Sequence, residues 1–190
     1  MTSATIVATL YWMLLLALTA AALVFAILAL KKPRQSWTAA GLLAIALVVA
    51  TLRFQSAPLA AAVTLSLLCI ALAVVGGGPA VNLTLALAGG SPAGEHGGIL
   101  VWSDGADAAV KPKREVLRGG ATIGILERFA TVSAIIVGHP EAIAVIVALK
   151  GVGRFTELDA SEARERFIIG SLMSLIWACA SAALWAIALH

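Results

Sequence analysis

The chain has 190 residues, of which 61% are hydrophobic and only 12% are charged. Water-soluble domains average roughly 45–50% apolar and about 25% charged residues, so this composition excludes an ordinary soluble globular domain. The formal net charge of +3 sits in short clusters without an accompanying aromatic or groove-reading element, which argues against a nucleic-acid partner.

The apolar residues come in long blocks, and about 20 such residues cross the roughly 30 Å hydrocarbon core as a helix. The first block, Ile6 to Leu30, is uncharged and is followed by Lys31, Lys32, Pro33 and Arg34. A signal peptide has a basic start and a shorter core; basic residues after the block predict a retained helix. The second block runs from Trp37 to Leu52 and ends at Arg53. The third runs from Pro58 to Val75 and is predicted to stop at Gly76-Gly77-Gly78-Pro79. The apolar piece Pro79 to Gly90 is too short to cross and suits an interfacial or re-entrant helix.

Gly89 to Arg118 is the long polar stretch, expected as a loop, with Ile99 to Trp102 as a short strand or interfacial contact. His96, Asp104 and Asp107 match no metal-ligand spacing. The basic run Lys111 to Arg118 is expected at the membrane surface, near anionic lipid headgroups. The fourth block, Gly119 to Gly138, carries Glu127 and Arg128 in its interior. His139-Pro140 makes a turn, because proline disfavours helix at the residue before it. The fifth block is Glu141 to Phe155 and the last is Phe167 to Leu189.

These blocks predict an all-α, polytopic bundle of about six spans in three parts. Residues 1–78 form an apolar three-span half, 79–118 an interfacial segment and flexible loop, and 119–190 a three-span half with a charged seam. In this arrangement Lys31, Lys32 and Arg34, the 111–118 run, and Arg154, Arg164 and Arg166 all fall on one face. The positive-inside rule makes that face cytoplasmic and both termini extracytoplasmic. Trp12 and Trp37, near span ends, are expected as interfacial anchors. Cys69 and Cys179 lie in predicted spans and read as small apolar residues; no disulfide framework, CxxC or haem-attachment motif is present.

The charged seam is the most informative feature. A charge at the bilayer centre costs at least about 2.5–3.5 kcal/mol on insertion scales. At about 1.5 Å per residue, Glu127 is carried roughly 12 Å inward, too deep for a short carboxylate to reach headgroups. A buried pair is expected there, with Glu127 meeting Lys150 or Arg154 across the tight turn. Arg154, Glu162, Glu165, Arg164 and Arg166 lie nearer the headgroups. Gly120 and Gly124 form a GxxxG step that admits close helix approach. Val147, Lys150, Gly151 and Arg154 share one side of the fifth span. Gly170, Ser174 and Ala178 make a small-residue stripe on the sixth, beside Trp177. These faces are expected to pack together across spans four, five and six.

The segments LRGGATIGILER, HPEAIAVIVALKGVGRFTEL and ERFIIGSLMSLIWA resemble the C-terminal half of a family of small actinobacterial integral membrane proteins. They are more loosely similar to the C-terminal part of the DUF3307 membrane proteins, whose N-terminal motif is absent here. Ser171 stands where the family often has Thr. The resemblance implies a bacterial plasma-membrane protein and a set of motif residues: Gly120, Gly124, Glu127, Arg128, Lys150, Arg154, Phe155, Glu165, Arg166 and Gly170. It implies no reaction.

Three function classes follow. The first is a non-enzymatic bundle that self-associates or joins a larger membrane complex, motivated by the small-residue stripes and slender polar parts. The second is a transporter or channel component that uses Glu127, Arg128 and Lys150 for a proton, an ion or an anionic solute. The third, a lipid-modifying enzyme, would draw on Glu127, Glu162, Glu165, His96 and Asp104, but no HExxH or GxSxG motif supports it. No catalytic residue, metal or cofactor is therefore expected.

Overall fold

The computed structural model describes residues 3–52, 57–89, 99–102, 113–116, 120–154 and 161–190. The expected Arg53 boundary, His96, Asp104, Asp107, Phe155 and the side chains of Arg154 and Glu162 lie outside the described set.

Six helices dominate: α1 (Ser3–Ala29), α2 (Gln35–Ala50), α3 (Leu59–Leu87), α4 (Gly120–Ile136), α5 (Ala142–Arg154) and α6 (Ser161–Leu189). Three of them, α1, α3 and α6, are long and apolar enough to cross a membrane. Beyond the charged first turns of α6, their sequences are apolar on every side, as expected of helices surrounded by lipid or by one another. The helices match the all-α expectation, and the short strand considered at Ile99–Trp102 is present. Strands β1 (Ile99–Trp102) and β2 (Lys113–Val116) pair antiparallel, with Ile99 opposite Val116 and Trp102 opposite Lys113. This ladder packs on α6, so the basic run contributes a strand to the stretch expected as a loop.

The third block does not stop at Gly76-Gly77-Gly78-Pro79. Helix α3 runs on through Pro79 to Leu87, and the piece expected as a separate interfacial helix is its last two turns. Pro79 lacks the N–H that would bond the Val75 carbonyl, a loss that membrane helices tolerate. Ser36 of α2 donates to the Pro79 carbonyl at 3.4 Å. That contact also sets the exposed Lys31–Arg34 turn level with Pro79. From Leu59 to Pro79, α3 rises roughly 30 Å.

α3 and α6 form the central pair, with α1 and α2 on one flank and α4 on the other. They run antiparallel: Gly170 meets Val81, Trp177 bonds Leu72 and Trp185 bonds Ser66. The two expected halves therefore interlock along one helix pair. The core of Tyr11, Leu15, Leu43, Leu65, Cys69, Leu72, Trp177 and Leu184 joins α1, α2, α3 and α6. A smaller cluster of Ala73, Val132, Ala178 and Ala182 seats α4. Trp37 is exposed, consistent with an anchor, but Trp12 is 4% exposed inside the core, and its indole N–H has no partner among the described residues. It is a core residue because α1 turns that side onto its neighbours. The backbone of α5 lies against α4.

Candidate functional site

Glu127 and Arg128 are adjacent in sequence, so α4 projects them about 100° apart. They serve different partners. Glu127 faces α5, where Lys150 donates to its Oε2. The two side chains are 11% and 17% exposed, respectively, and the Lys150 amine also lies 5.8 Å from the centroid of the Phe167 ring on α6. A cation over an aromatic face gains electrostatic attraction from the ring quadrupole. The expected meeting of Glu127 with Lys150 is therefore present. The turn that permits it contains Gly138, at φ 83°, a left-handed conformation open to glycine at little steric cost.

Arg128 points the other way, into the contact of α3 with α6, and is 6% exposed. Its Nε donates to the Val74 carbonyl at 3.0 Å and one terminal nitrogen donates to Ser174 Oγ at 3.0 Å. A carbonyl has two lone pairs, so Val74 can accept Arg128 and keep its helical bond. Among the described residues, no carboxylate lies within ion-pair distance of Arg128. Its charge is met by neutral dipoles.

The glycines explain how the side chain fits. A Cβ on Gly77 would lie 2.2 Å from Arg128 Cδ, and one on Gly124 would lie 3.0 Å from the guanidinium. Gly76 has the same relation to Trp177: a Cβ there would be 2.5 Å from the indole ring. Trp177 Nε1 donates to the Leu72 carbonyl at 2.9 Å. The bare backbone of α3 is thus a shelf on which a guanidinium from α4 and an indole from α6 rest side by side.

Several expectations change accordingly. The Arg128 seam joins α3, α4 and α6, and α5 is held through α4 and through Lys150 near Phe167 of α6. Gly124 makes room for Arg128 of its own helix rather than forming a bare step against another backbone. Gly151 is exposed with nothing within 4 Å of a Cβ, and Val147 is exposed, so neither packs on the seam. The side of α5 turned inward instead carries Ile143, Ile146 and Lys150, each half-buried. Gly120 is half-buried. Gly170, Ser174 and Ala178 do line α6 where it meets its neighbours; a Cβ on Gly170 would lie 3.3 Å from Val81, Ser174 receives Arg128, and Ala178 is fully buried. Glu165 is exposed and Arg166 half-buried, beyond the seam toward the start of α6. Cys69 and Cys179 are free thiols.

Sequence reasoning missed Gly76, Gly77 and Val74 as partners of the seam. The triple glycine was the available signal; it reads as a terminator when the side chains that lean on it lie far away in sequence. No protein-family model, no curated protein and no solved structure matches this chain.

Proposed function

We propose that the chain is a non-enzymatic integral protein of a bacterial plasma membrane, with six crossing helices, both termini extracytoplasmic, and the basic turns cytoplasmic. Its role is that of a helical-bundle subunit, self-associating or serving as an accessory of a membrane complex. The hydrocarbon core fits between the levels of Leu59 and Pro79 on α3, a rise of roughly 30 Å. The bacterial membrane itself is carried by the motif resemblance alone.

The observation that carries the non-enzymatic reading is the engagement of Arg128. Its donors reach Val74 and Ser174, and its stem fills the space above Gly77. A charge used this way clamps three helices together. Chemical crosslinking in native membranes, followed by native mass spectrometry in lipid, tests the subunit role. A discrete oligomer or a stoichiometric partner is expected; a strict monomer with no co-purifying protein overturns it.

A transport role is the second reading, favoured by the Glu127–Lys150 pair. That pair is ionisable and keeps some surface exposure. Liposome proton flux decides between them. Equal, negligible flux in the wild type and in Glu127→Gln removes the transport reading.

A further inference from the structure

A guanidinium carries five N–H donors, and Val74 and Ser174 take two of those on Arg128. Its second terminal nitrogen has no hydrogen-bond partner among the described residues. Among those residues the fully enclosed polar atom without a partner is Trp12 Nε1, so this nitrogen keeps an opening to the surface. The cation lies level with Val74 and Gly77, roughly 3–8 Å inside the Pro79 level that marks the hydrocarbon edge. A charge in the bilayer interior is costly, and no carboxylate of the described residues lies within ion-pair distance of this one.

The helices leave an opening on one side of it. Along α3, Gly76 meets Trp177 of α6, Gly77 meets Arg128 of α4, and Gly78 has nothing within 4 Å of a Cβ. Each residue turns the helix by about 100°, so Gly78 faces away from α6. Along α4, Glu127 meets Lys150 of α5, Arg128 meets the seam, and Phe129 is exposed, as is Ile125 on the same flank. Lys150 lies near Phe167 of α6, which puts α5 on the α6 side of α4. Gly78, Ile125 and Phe129 therefore open on one side of the α3–α4 contact, opposite α6. They line an apolar cleft with a glycine wall, which lets another backbone approach closely.

We propose that this cleft receives a transmembrane helix of a different protein, one that carries an intramembrane carboxylate. The carboxylate accepts from the remaining donors of Arg128, a match of charge and geometry, and the helix packs its apolar side on Ile125 and Phe129. Charge complementarity selects this occupant. A lipid tail would cover the apolar flank but leave the guanidinium without a counter-charge. A second copy of the chain brings none to this depth. Of its ten acidic residues, Glu127 is the one at this level among the described residues, and it holds Lys150. This assembly rests on the subunit reading above and joins the chain to an unlike partner.

The test reconstitutes the full chain in phosphatidylcholine vesicles with dansyl-labelled polyleucine peptides of about 20 residues. One peptide carries an aspartate about one turn from its end, and its twin carries asparagine there. Energy transfer from the tryptophans of the chain reads association at about pH 8, where the carboxylate ionises beside a cation. The wild type is expected to hold the aspartate peptide about tenfold more tightly than its twin, the value of one hydrogen bond to a charged group. Arg128→Met is expected to hold both equally while melting at a temperature close to that of the wild type. Gly78→Leu, which fills the cleft and leaves the seam untouched, is expected to lose the preference. Equal binding of the twins by the wild type, which needs no variant to interpret, overturns the proposal. A preference that survives Arg128→Met or Gly78→Leu also overturns it. So does a preference that vanishes when phosphatidylglycerol replaces phosphatidylcholine, since a lipid phosphate then fills the site. Energy transfer between labelled copies of the chain that Arg128→Met abolishes overturns it too, because a like partner then supplies the counter-charge. Equal binding alongside a discrete oligomer in the crosslinking experiment defeats this inference alone. Equal binding alongside a strict monomer defeats the subunit reading with it.

Discussion

Arg128 of α4 rests on Gly77 of α3 so closely that a methyl group at position 77 would fall 2.2 Å from Arg128 Cδ. The closeness places the Arg128 Nε 3.0 Å from the Val74 carbonyl on the same exposed strip of backbone. Gly76 gives Trp177 the same access to the Leu72 carbonyl. Two side chains from two helices thereby reach main-chain acceptors that any larger residue would cover. In a bilayer, where association lacks the hydrophobic drive of water, such close packing and interhelical hydrogen bonding are what hold helices together.

The three adjacent glycines are therefore not equivalent. Gly77→Ala and Gly76→Ala must each displace a helix or a buried side chain, and overpacking of this kind costs typically about 1–3 kcal/mol. Gly78 has nothing within 4 Å of a Cβ. Gly78→Ala is expected to be neutral or to stabilise the helix, since alanine is favoured over glycine by about 0.8–1 kcal/mol in a helix interior. Thermal unfolding in detergent, followed by helical circular dichroism, measures all three. Equal melting temperatures for Gly77→Ala and Gly78→Ala contradict the shelf.

Arg128 supplies two donors in a fixed planar fork, whereas lysine offers a point charge on a flexible stem. Arg128→Lys keeps a buried charge but loses at least one of the bonds to Val74 and Ser174. A hydrogen bond to a charged group is worth about 1.5–3 kcal/mol, and a loss of that size is expected. Arg128→Met removes the charge together with its desolvation cost, and such replacements are often close to neutral. The expected order of stability is wild type and Arg128→Met above Arg128→Lys. The same melts check it, and a lysine variant as stable as the wild type contradicts it.

Parts of this arrangement are legible in the sequence, and the boundary between what is and is not has a physical basis. The long helices are visible because apolar blocks such as Ile6 to Leu30 are a local property of the chain. The pairing of Glu127 with Lys150 is visible because a short turn makes α4 and α5 neighbours and fixes opposite charges at similar depth. The facing of Arg128 is not visible. Its partners Val74 and Gly77 lie across a long polar stretch, and nothing local signals that α3 packs against α4 and α6. For the same reason Gly76-Gly77-Gly78-Pro79 reads as a terminator. Its weak helix propensity is local, whereas the contacts that outweigh it come from Trp177 and Arg128.

Glu127 and Lys150 form a unit that a double-mutant cycle isolates. Glu127→Gln alone leaves the Lys150 ammonium largely buried without its counter-charge, and Lys150→Met alone does the same to the carboxylate. Each single change is expected to lower stability more than its share of the double change. Groups in direct contact show interaction energies of about 0.5–3 kcal/mol. Additive single and double effects in the melting analysis contradict a direct bond. Because α5 lies mainly against α4, breaking the pair is expected to free α5 before the rest of the bundle. Faster hydrogen exchange confined to 142–154 reports that local release.

At the opposite end of α5, the turn carries its own acid–base signature. Glu141 and His139 are both exposed, with His139 Nδ1 and Glu141 Oε1 3.0 Å apart. The Glu141 carboxylate accepts from its own backbone N–H and from His139, and these bonds hold its carboxyl below the usual glutamate value. A carboxyl lowered on folding releases protons that the unfolded chain still binds, so stability rises with pH between the folded and unfolded values. The contribution is complete above the unfolded value and is lost as pH falls through the folded one. Full exposure keeps the effect small. A site-resolved carboxyl titration by nuclear magnetic resonance is expected to give Glu141 a midpoint below that of a free glutamate side chain. His139→Ala is expected to move that midpoint part of the way back up, because the bond to the backbone N–H persists. A midpoint unmoved by His139→Ala contradicts the assigned hydrogen bond.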